Sequence, residues 1–476
     1  MINIEEFRHH AHQFVDWMAD YYTTIDDYPV KARVRPGEIF NRIPDEAPEK
    51  GESIPEIFED FKKVILPGIT HWQNPKWFAY FQANSSYPSV LAEMLTATLA
   101  AQCMVWDTSP AAAELEEKMM IWLKGLMGLP SHFEGVIQDT ASTATLCALI
   151  SAREKASHFH INSQGFQGNE NFRIYCSTET HSSIDKAVRI AGFGDENLIK
   201  IGVDKNRALQ PGLLEEAIED DRQQGRKPLV VVATIGTTGT MAIDPLKQIA
   251  SICQQYDIWL HVDAAYAGSA MVLPEYRWMI EGLEHADSYV FNPHKWLFTN
   301  FDCSAYFVKD RDTLIRTFAI MPEYLKTGMD DRVNNYRNWG IQMGRRFRAL
   351  KLWFVLRNFG AEEIRKRIKT HIEMSQELTS IIENDPDFEL MATNPLNMIC
   401  FRFHPGNLND EEKLNILNQE IIRQVNASGK TYLTHTRIKD AFVIRLVPGQ
   451  TYLEKKHLET SWDLIYRICK KVYENG

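Results

Sequence analysis

The sequence predicts an α/β protein whose large domain holds a mainly parallel sheet, with a helical and extended arm before it and a small α+β domain after it. Three observations carry this prediction. Six short apolar runs recur: GVIQ at 135, FRIYCS at 172, LIKIGV at 198, PLVVVATI at 228, DIWLHV at 257 and SYVF at 288. They are rich in β-branched and aromatic residues and do not alternate with polar ones, the mark of strands buried on both faces. Amphipathic stretches separate them, and strands alternating with helices build a doubly wound sheet. Beyond about residue 360 the alternation stops and the texture changes.

In chain order, residues 4–23 place Phe7, Phe14, Trp17, Met18 and Tyr21 at helical spacing, an amphipathic helix whose apolar stripe needs a partner. Pro29, Pro36, Pro44, Pro48 and Pro55 exclude regular helix or strand over 28–56 and leave an extended arm. Trp72, Trp77, Phe78, Tyr80, Phe81 and Tyr87 make the next stretch aromatic, which packing explains for the most part and a pocket wall for the remainder. A helix over 113–127 carries Leu115, Met119, Trp122 and Leu126 and stops at Gly128 and Pro130, a C-cap and a breaker. The six runs follow. A helix over 361–384, a strand at 398–403, a helix over 410–426, a strand at 441–447 and a last helix complete the chain. The implied domains are 1–86, 87–360 and 361–476.

Composition narrows the function. With 476 residues, 44% hydrophobic and 24% charged, the chain is an ordinary globular protein of several domains. Lys and Arg number 52 against 63 Asp and Glu, a net −11 with no basic run, so neither nucleic acid nor an anionic membrane is the expected partner. Small molecules are. No stretch of 18 apolar residues occurs and the N-terminus has no apolar signal core. Seven scattered cysteines without a C-x-x-C pair indicate free thiols in a reducing compartment, and a cytoplasmic enzyme is expected. His9, His10, His12, His158 and His160 would suit a metallohydrolase, but they lack paired carboxylates and are better explained as solvated faces, so no metal is expected.

In open α/β sheets ligands bind beyond the carboxyl ends of the strands. There the sequence places Asp139-Thr140-Ala141-Ser142, Thr178-Glu179-Thr180-His181, Gly236-Thr237-Thr238, Asp263 and Asn292-Pro293-His294-Lys295. Thr140, Ala141 and Ser142 read either as a helix N-cap or as a cradle for a phosphate at a helix start. His181 alone reads as an ordinary histidine near a helix start. Asp263, ending an interior strand, must find a cation or strong donors. Lys295, flanked by Pro293 and Trp296 at the end of a buried strand, would be a nucleophile toward carbonyls, because desolvation lowers its pKa. Together they match pyridoxal phosphate: a lysine to carry it, a carboxylate to keep its ring nitrogen protonated, a group stacked on its face and a helix start for its phosphate.

At this point the chain resembles the group II pyridoxal-phosphate decarboxylases, and among them the aromatic-L-amino-acid decarboxylases, over nearly its whole length. The motifs are HWQNPKWFAYF (71–81), SSYPS (85–89), SPAAAELE (109–116), HVDAAYAG (261–268), NPHKW (292–296), NFDCSA (300–305) and GRRFRALKLW (344–353). The resemblance implies the aspartate-aminotransferase-like fold type I and a homodimer with shared active sites, its partner wrapped by the N-terminal arm. It implies Lys295 as the cofactor-carrying lysine, Asp263 as the ring-nitrogen partner and His181 as the stacked residue. Thr140, Ala141, Ser142, Asn292 and His294 would hold the phosphate, with Thr238 beneath the cofactor. Trp72, Tyr80 and Phe81 would wall the substrate pocket. Tyr324, in a loop over 322–338, would donate a proton to Cα. Gly344 stands where relatives acting on histidine or bulky indoles tend to place serine, and leaves depth for a phenol or catechol. The activity implied is decarboxylation of an aromatic amino acid, with tyrosine, DOPA or phenylalanine favoured and tryptophan or 5-hydroxytryptophan admitted. Aldehyde-forming relatives tend to replace the loop tyrosine by Phe or the stacked histidine by Asn, and both are intact here. Departures from animal members are Asp139-Thr140 for Gly-Ser, Gln82-Ala83 for Pro-Thr, and Gln102 and Met104 at pocket positions. An aspartate beside a phosphate requires a side chain that turns away as a cap.

Overall fold

The computed structural model describes residues 2–168, 170–320 and 332–475. In chain order the helices are α1 (Ile4–Thr23), α2 (Ile54–Asp60), α3 (Tyr87–Leu99), α4 (Pro110–Met127), α5 (Ala141–Ala156), α6 (His160–Gln164), α7 (Ser183–Ile190), α8 (Pro211–Gln223), α9 (Leu246–Tyr256), α10 (Pro293–Trp296), α11 (Arg311–Phe318), α12 (Arg348–Glu383), α13 (Glu411–Ala427) and α14 (Lys455–Asn475). The chain divides into two compact units, one of residues 83–381 with 390–400, the other of residues 1–82, 382–389 and 401–476.

The larger unit is built on a seven-stranded sheet of β1 (Glu134–Gln138), β2 (Phe172–Ser177), β3 (Leu198–Ile201), β4 (Lys227–Thr234), β5 (Trp259–Asp263), β6 (Ser288–Phe291) and β7 (Ser304–Val308), in the order β1-β7-β6-β5-β4-β2-β3. β7 runs antiparallel to both its neighbours, and the pairs from β6 through β5, β4 and β2 to β3 are parallel. Every residue of β2, β5, β6 and β7 is buried, which is why those runs show no polar alternation. The sequence reading named the other six strands and passed over SAYFV. Its composition is that of its neighbours, and the hydrophobic pattern carries no sign of strand direction. α4 ends as expected, on Gly128 in the left-handed region at φ 68. α12 begins thirteen residues before the expected helix over 361–384, and Gly360 at φ 69 interrupts it.

A second, four-stranded sheet is formed by β8 (Phe388–Leu390), β9 (Ile399–Phe403), β10 (Thr434–Ile438) and β11 (Ala441–Leu446), ordered β10-β11-β9-β8. α1 starts on a capping box in which Asn3 Oδ1 accepts the Glu6 N–H and Glu6 accepts that of Asn3. Its partner is α2 and the turn after it, where Phe14 and Trp17 meet Phe58 and Trp17 meets Phe61. The extended arm and the C-terminal chain share one unit, where the sequence reading drew 1–86 and 361–476 apart. The reason is a joint core: Val30, Trp77 and Ala79 pack with Trp72 and Tyr432, the Val30 N–H donates to Gly429 O at 2.8 Å, and the Phe78 N–H to Tyr432 O at 3.1 Å.

All seven cysteines are buried and none forms a disulfide. Among the described residues no helix is long and apolar enough to cross a membrane.

Candidate active site

The polar strand ends named above lie on one rim of the large sheet. Asp263 closes β5 and is buried, its Oδ1 accepting the Ala265 N–H at 3.0 Å. One amide does not neutralise a buried carboxylate, so the site calls for a cation. Lys295 sits in the short α10 that follows β6. Surrounding protein lowers the pKa of its amine, and the Asp263 charge opposes that shift. Its backbone is clamped: the Lys295 N–H donates to Asn292 O at 2.9 Å, and Asn84 Nδ2 donates to Lys295 O.

His181 follows β2 and keeps one side open to solvent. Desolvation lowers its pKa, with Asp263 raising and Lys295 lowering it, so lysine, carboxylate and imidazole sense one another's charge. The Ser183 N–H donates to His181 Nδ1 at 3.2 Å, with Ser183 Oγ at 2.9 Å from the same nitrogen. That amide fixes Nδ1 as the acceptor, so the neutral ring carries its proton on Nε2.

Thr140 is the N-cap of α5, its Oγ1 accepting the Thr143 N–H at 3.4 Å. Ala141 is buried and Ser142 exposed in the first turn. The free amides of such a turn and the positive end of a sixteen-residue helix suit an anion. The capping and anion readings are therefore compatible here. Asp139 accepts the Thr140 N–H at 2.6 Å and Gln342 Nε2 at 2.7 Å. Burial raises its pKa, but donors from Thr143, Thr140 and Gln342 outweigh that and hold it below the usual carboxylate value.

Asn292 and His294 are buried on the same rim. The Asn292 N–H donates to Ala265 O at 3.0 Å, and Ser304 Oγ donates to its side chain. His294 Nδ1 accepts the Cys303 N–H at 2.9 Å, and burial with the Lys295 charge drives its pKa down to about 3, so this ring is neutral. Thr238 stands on a tight loop after β4, where Gly236 takes φ 84 and the Gly236 and Thr237 N–H groups both donate to Ala242 O at 3.0 Å. The loop rests on Asp244, which sequence reasoning missed. It is buried and accepts the Leu209 and Thr234 N–H groups at 2.8 Å each, and burial pushes its pKa up to about 6. At Gly344 a Cβ would lie 3.2 Å from Gln102 Nε2, the end of a side chain that would have to give by a few tenths of an ångström.

Trp72, Tyr80 and Phe81 belong to the smaller unit. Trp72 stacks on Trp77 at 4.2 Å between ring centres, Tyr80 is exposed, and the Arg445 guanidinium lies 6.0 Å from the Phe81 ring centre. Tyr324 and most of the expected loop lie outside the described residues.

The donor set fits pyridoxal phosphate: an amine that burial biases toward its neutral form, a buried carboxylate and a partly open imidazole within its field, and a helix start for a phosphate.

The family described as "Pyridoxal-dependent decarboxylase conserved domain" matches residues 36–404. The chain is 42% identical over 471 residues to a phenylacetaldehyde synthase of Arabidopsis thaliana, covering 97% of this chain and 95% of that one. It is 41% identical over 485 residues to tyrosine decarboxylase 2 of the same plant, covering 99% and 88%. Among solved structures it resembles the Oryza sativa TDC bound to PLP and tryptamine, with a TM-score of 0.96, 32% identity and 99% coverage of both chains.

Proposed function

The chain belongs to the family of pyridoxal-dependent decarboxylases, and from that premise we propose that it converts an aromatic L-amino acid to its amine and carbon dioxide, with tyrosine, DOPA or phenylalanine preferred. The carrying observation is the electrostatic triangle of Lys295, Asp263 and His181 on one strand rim. Bound pyridoxal phosphate supplies an electron-withdrawing ring that accepts the electron pair left on Cα when carbon dioxide departs.

The chain's own residues do the rest. Lys295, whose amine burial biases toward its neutral form, would carry the cofactor through its carbonyl carbon. Asp263 keeps a proton on the ring nitrogen by charge complementarity. His181, fixed by Ser183 and neutral, presents a flat face for stacking. The first turn of α5 with Thr140, Ala141 and Ser142, together with Asn292 and His294, holds the phosphate, and Thr238 supports the cofactor from beneath. Trp72, Tyr80, Phe81 and Gly344 are the substrate-binding residues of this reading. The Tyr324 phenol, whose unperturbed pKa is about 10, keeps its proton at neutral pH and delivers it to Cα. A homodimer and, since none of the seven cysteines forms a disulfide, a cytoplasmic location belong to the same proposal.

A second reading is favoured by the likeness to a phenylacetaldehyde synthase: the amino acid, oxygen and water would give aldehyde, carbon dioxide, ammonia and hydrogen peroxide. The tyrosine at 324 and the histidine at 181 support the amine route. The test is an assay of tyrosine, DOPA, phenylalanine, tryptophan, 5-hydroxytryptophan, histidine and glutamate for amine, aldehyde and hydrogen peroxide. Amine from a phenolic or phenyl substrate is expected, while preference for glutamate or histidine would overturn the proposal. Tyr324→Phe is expected to shift most product to aldehyde and peroxide, and an unchanged amine yield would remove Tyr324 as the acid.

A further inference from the structure

We infer that His261 is a positioning residue that ties together the three segments carrying the cofactor's ring partner, its phosphate cradle and its lysine. The inference rests on the reading of the site just given. His261 precedes Asp263 by two residues on β5, so both side chains leave the same face of the sheet. The His261 ring is wholly buried. Its Nε2 lies 3.0 Å from Thr145 Oγ1, and Thr145 is on α5, about one turn beyond Thr140, Ala141 and Ser142. Its Nδ1 lies 2.9 Å from Ser288 Oγ, at the start of the strand whose far end leads into Asn292, His294 and Lys295. Trp259 Nε1 approaches the same Ser288 Oγ at 3.1 Å.

An indole N–H can only donate, so Ser288 Oγ accepts from Trp259. Because a hydroxyl can donate or accept, a neutral His261 bonds Ser288 Oγ through Nδ1 and Thr145 Oγ1 through Nε2, leaving both ring nitrogens bonded and the ring uncharged. Burial supports this by pulling the ring's pKa down to about 4, against the Asp263 charge that raises it. A hydrophobic side chain would fill the same space but could not fix the distance between β5, β6 and the α5 start. Two directional bonds reaching two other elements can.

The test uses His261→Leu and the milder Thr145→Val, which removes one hydroxyl and keeps the shape. Each apoenzyme is reconstituted with pyridoxal phosphate, and the dissociation constant and visible circular dichroism of the bound cofactor are measured. We expect about tenfold weaker cofactor binding and an altered dichroic band in both, the scale of losing one or two buried hydrogen bonds. The double variant is expected to bind no more weakly than His261→Leu alone, because the two side chains act through one bond. Wild-type affinity and dichroism in Thr145→Val and in any folded His261→Leu would overturn the inference, even if the melting temperature fell. A wild-type protein that takes up no cofactor is a distinct result and would overturn the proposed function itself.

Discussion

Asp263 and Lys295 stood out in the sequence because the first ends an interior strand and the second follows one between Pro293 and Trp296, where a charged side chain is harder to explain as chance. Asp263→Asn keeps the shape and removes the charge. We expect kcat to fall about 1,000-fold, the scale of losing one preorganised electrostatic group, with cofactor still bound in the visible spectrum. Near-wild-type turnover would remove Asp263 from its role. A second residue-scale consequence concerns acid. His261, His294 and His371 are buried with pKa values pulled down to about 4, 3 and 3, and burial is the main cause in each case. Unfolded histidine takes its proton near pH 6.5, so between about pH 4 and 6.5 the unfolded chain holds more protons and stability is lost as pH falls. Asp244, pushed up to about 6, acts in the opposite sense, one group against three. The urea midpoint of unfolding should therefore drop from pH 7 to pH 5, and a flat profile would contradict it. His261 and Asp244 themselves were illegible in the sequence, because their meaning lies in bonds to Thr145, Ser288, Leu209 and Thr234, up to 116 residues away.

At the scale of elements, β2, β5 and β6 were readable because burial on both faces leaves an unbroken apolar signature, and β1, β3 and β4 from the shorter apolar stretches within them. β7 and its reversed direction were not, since nothing in SAYFV distinguishes up from down. Turn chemistry was readable at Gly128 and opaque at Gly236, and the two make a paired prediction. Both have positive φ, but a Cβ at Gly128 meets the Arg277 guanidinium at 2.7 Å, the end of a long side chain that can shift at the expense of its bonds to Met271 O and Leu126 O, whereas at Gly236 it meets the Ala267 Cβ at 2.6 Å. Gly128→Ala should cost about 1 kcal/mol. Gly236→Ala should cost about 2–4 kcal/mol, backbone strain added to a clash that cannot relax. Chemical denaturation of the two variants compares them, and equal losses would refute the steric argument. Because the Gly236 loop carries Thr238, the second variant should also bind cofactor more weakly.

At the scale of the whole molecule, α3 leaves Tyr87, Leu91, Leu95 and Leu99 exposed at intervals of four residues, one apolar stripe on a single helix face. Stripes of that kind seek cover, and a second copy of the chain is the occupant that the proposed homodimer supplies. Sedimentation should report twice the chain mass, with Leu91→Glu combined with Leu95→Glu giving a monomer of much reduced activity. A dimer that persists in the double variant would place the interface elsewhere. The sequence led to the expectation of a homodimer only through the resemblance, since an apolar helix face looks the same whether its cover is a sheet or a neighbour.

The burial of every thiol has a practical consequence of its own. Sulfur shielded from water stays protonated and out of reach, as with Cys103 and Cys303, whose pKa values burial lifts to about 11 and 12. A maleimide dye should therefore find the native enzyme silent, so one cysteine introduced on the surface would carry a label without background, and any native cysteine that begins to react would time the opening of the core around it.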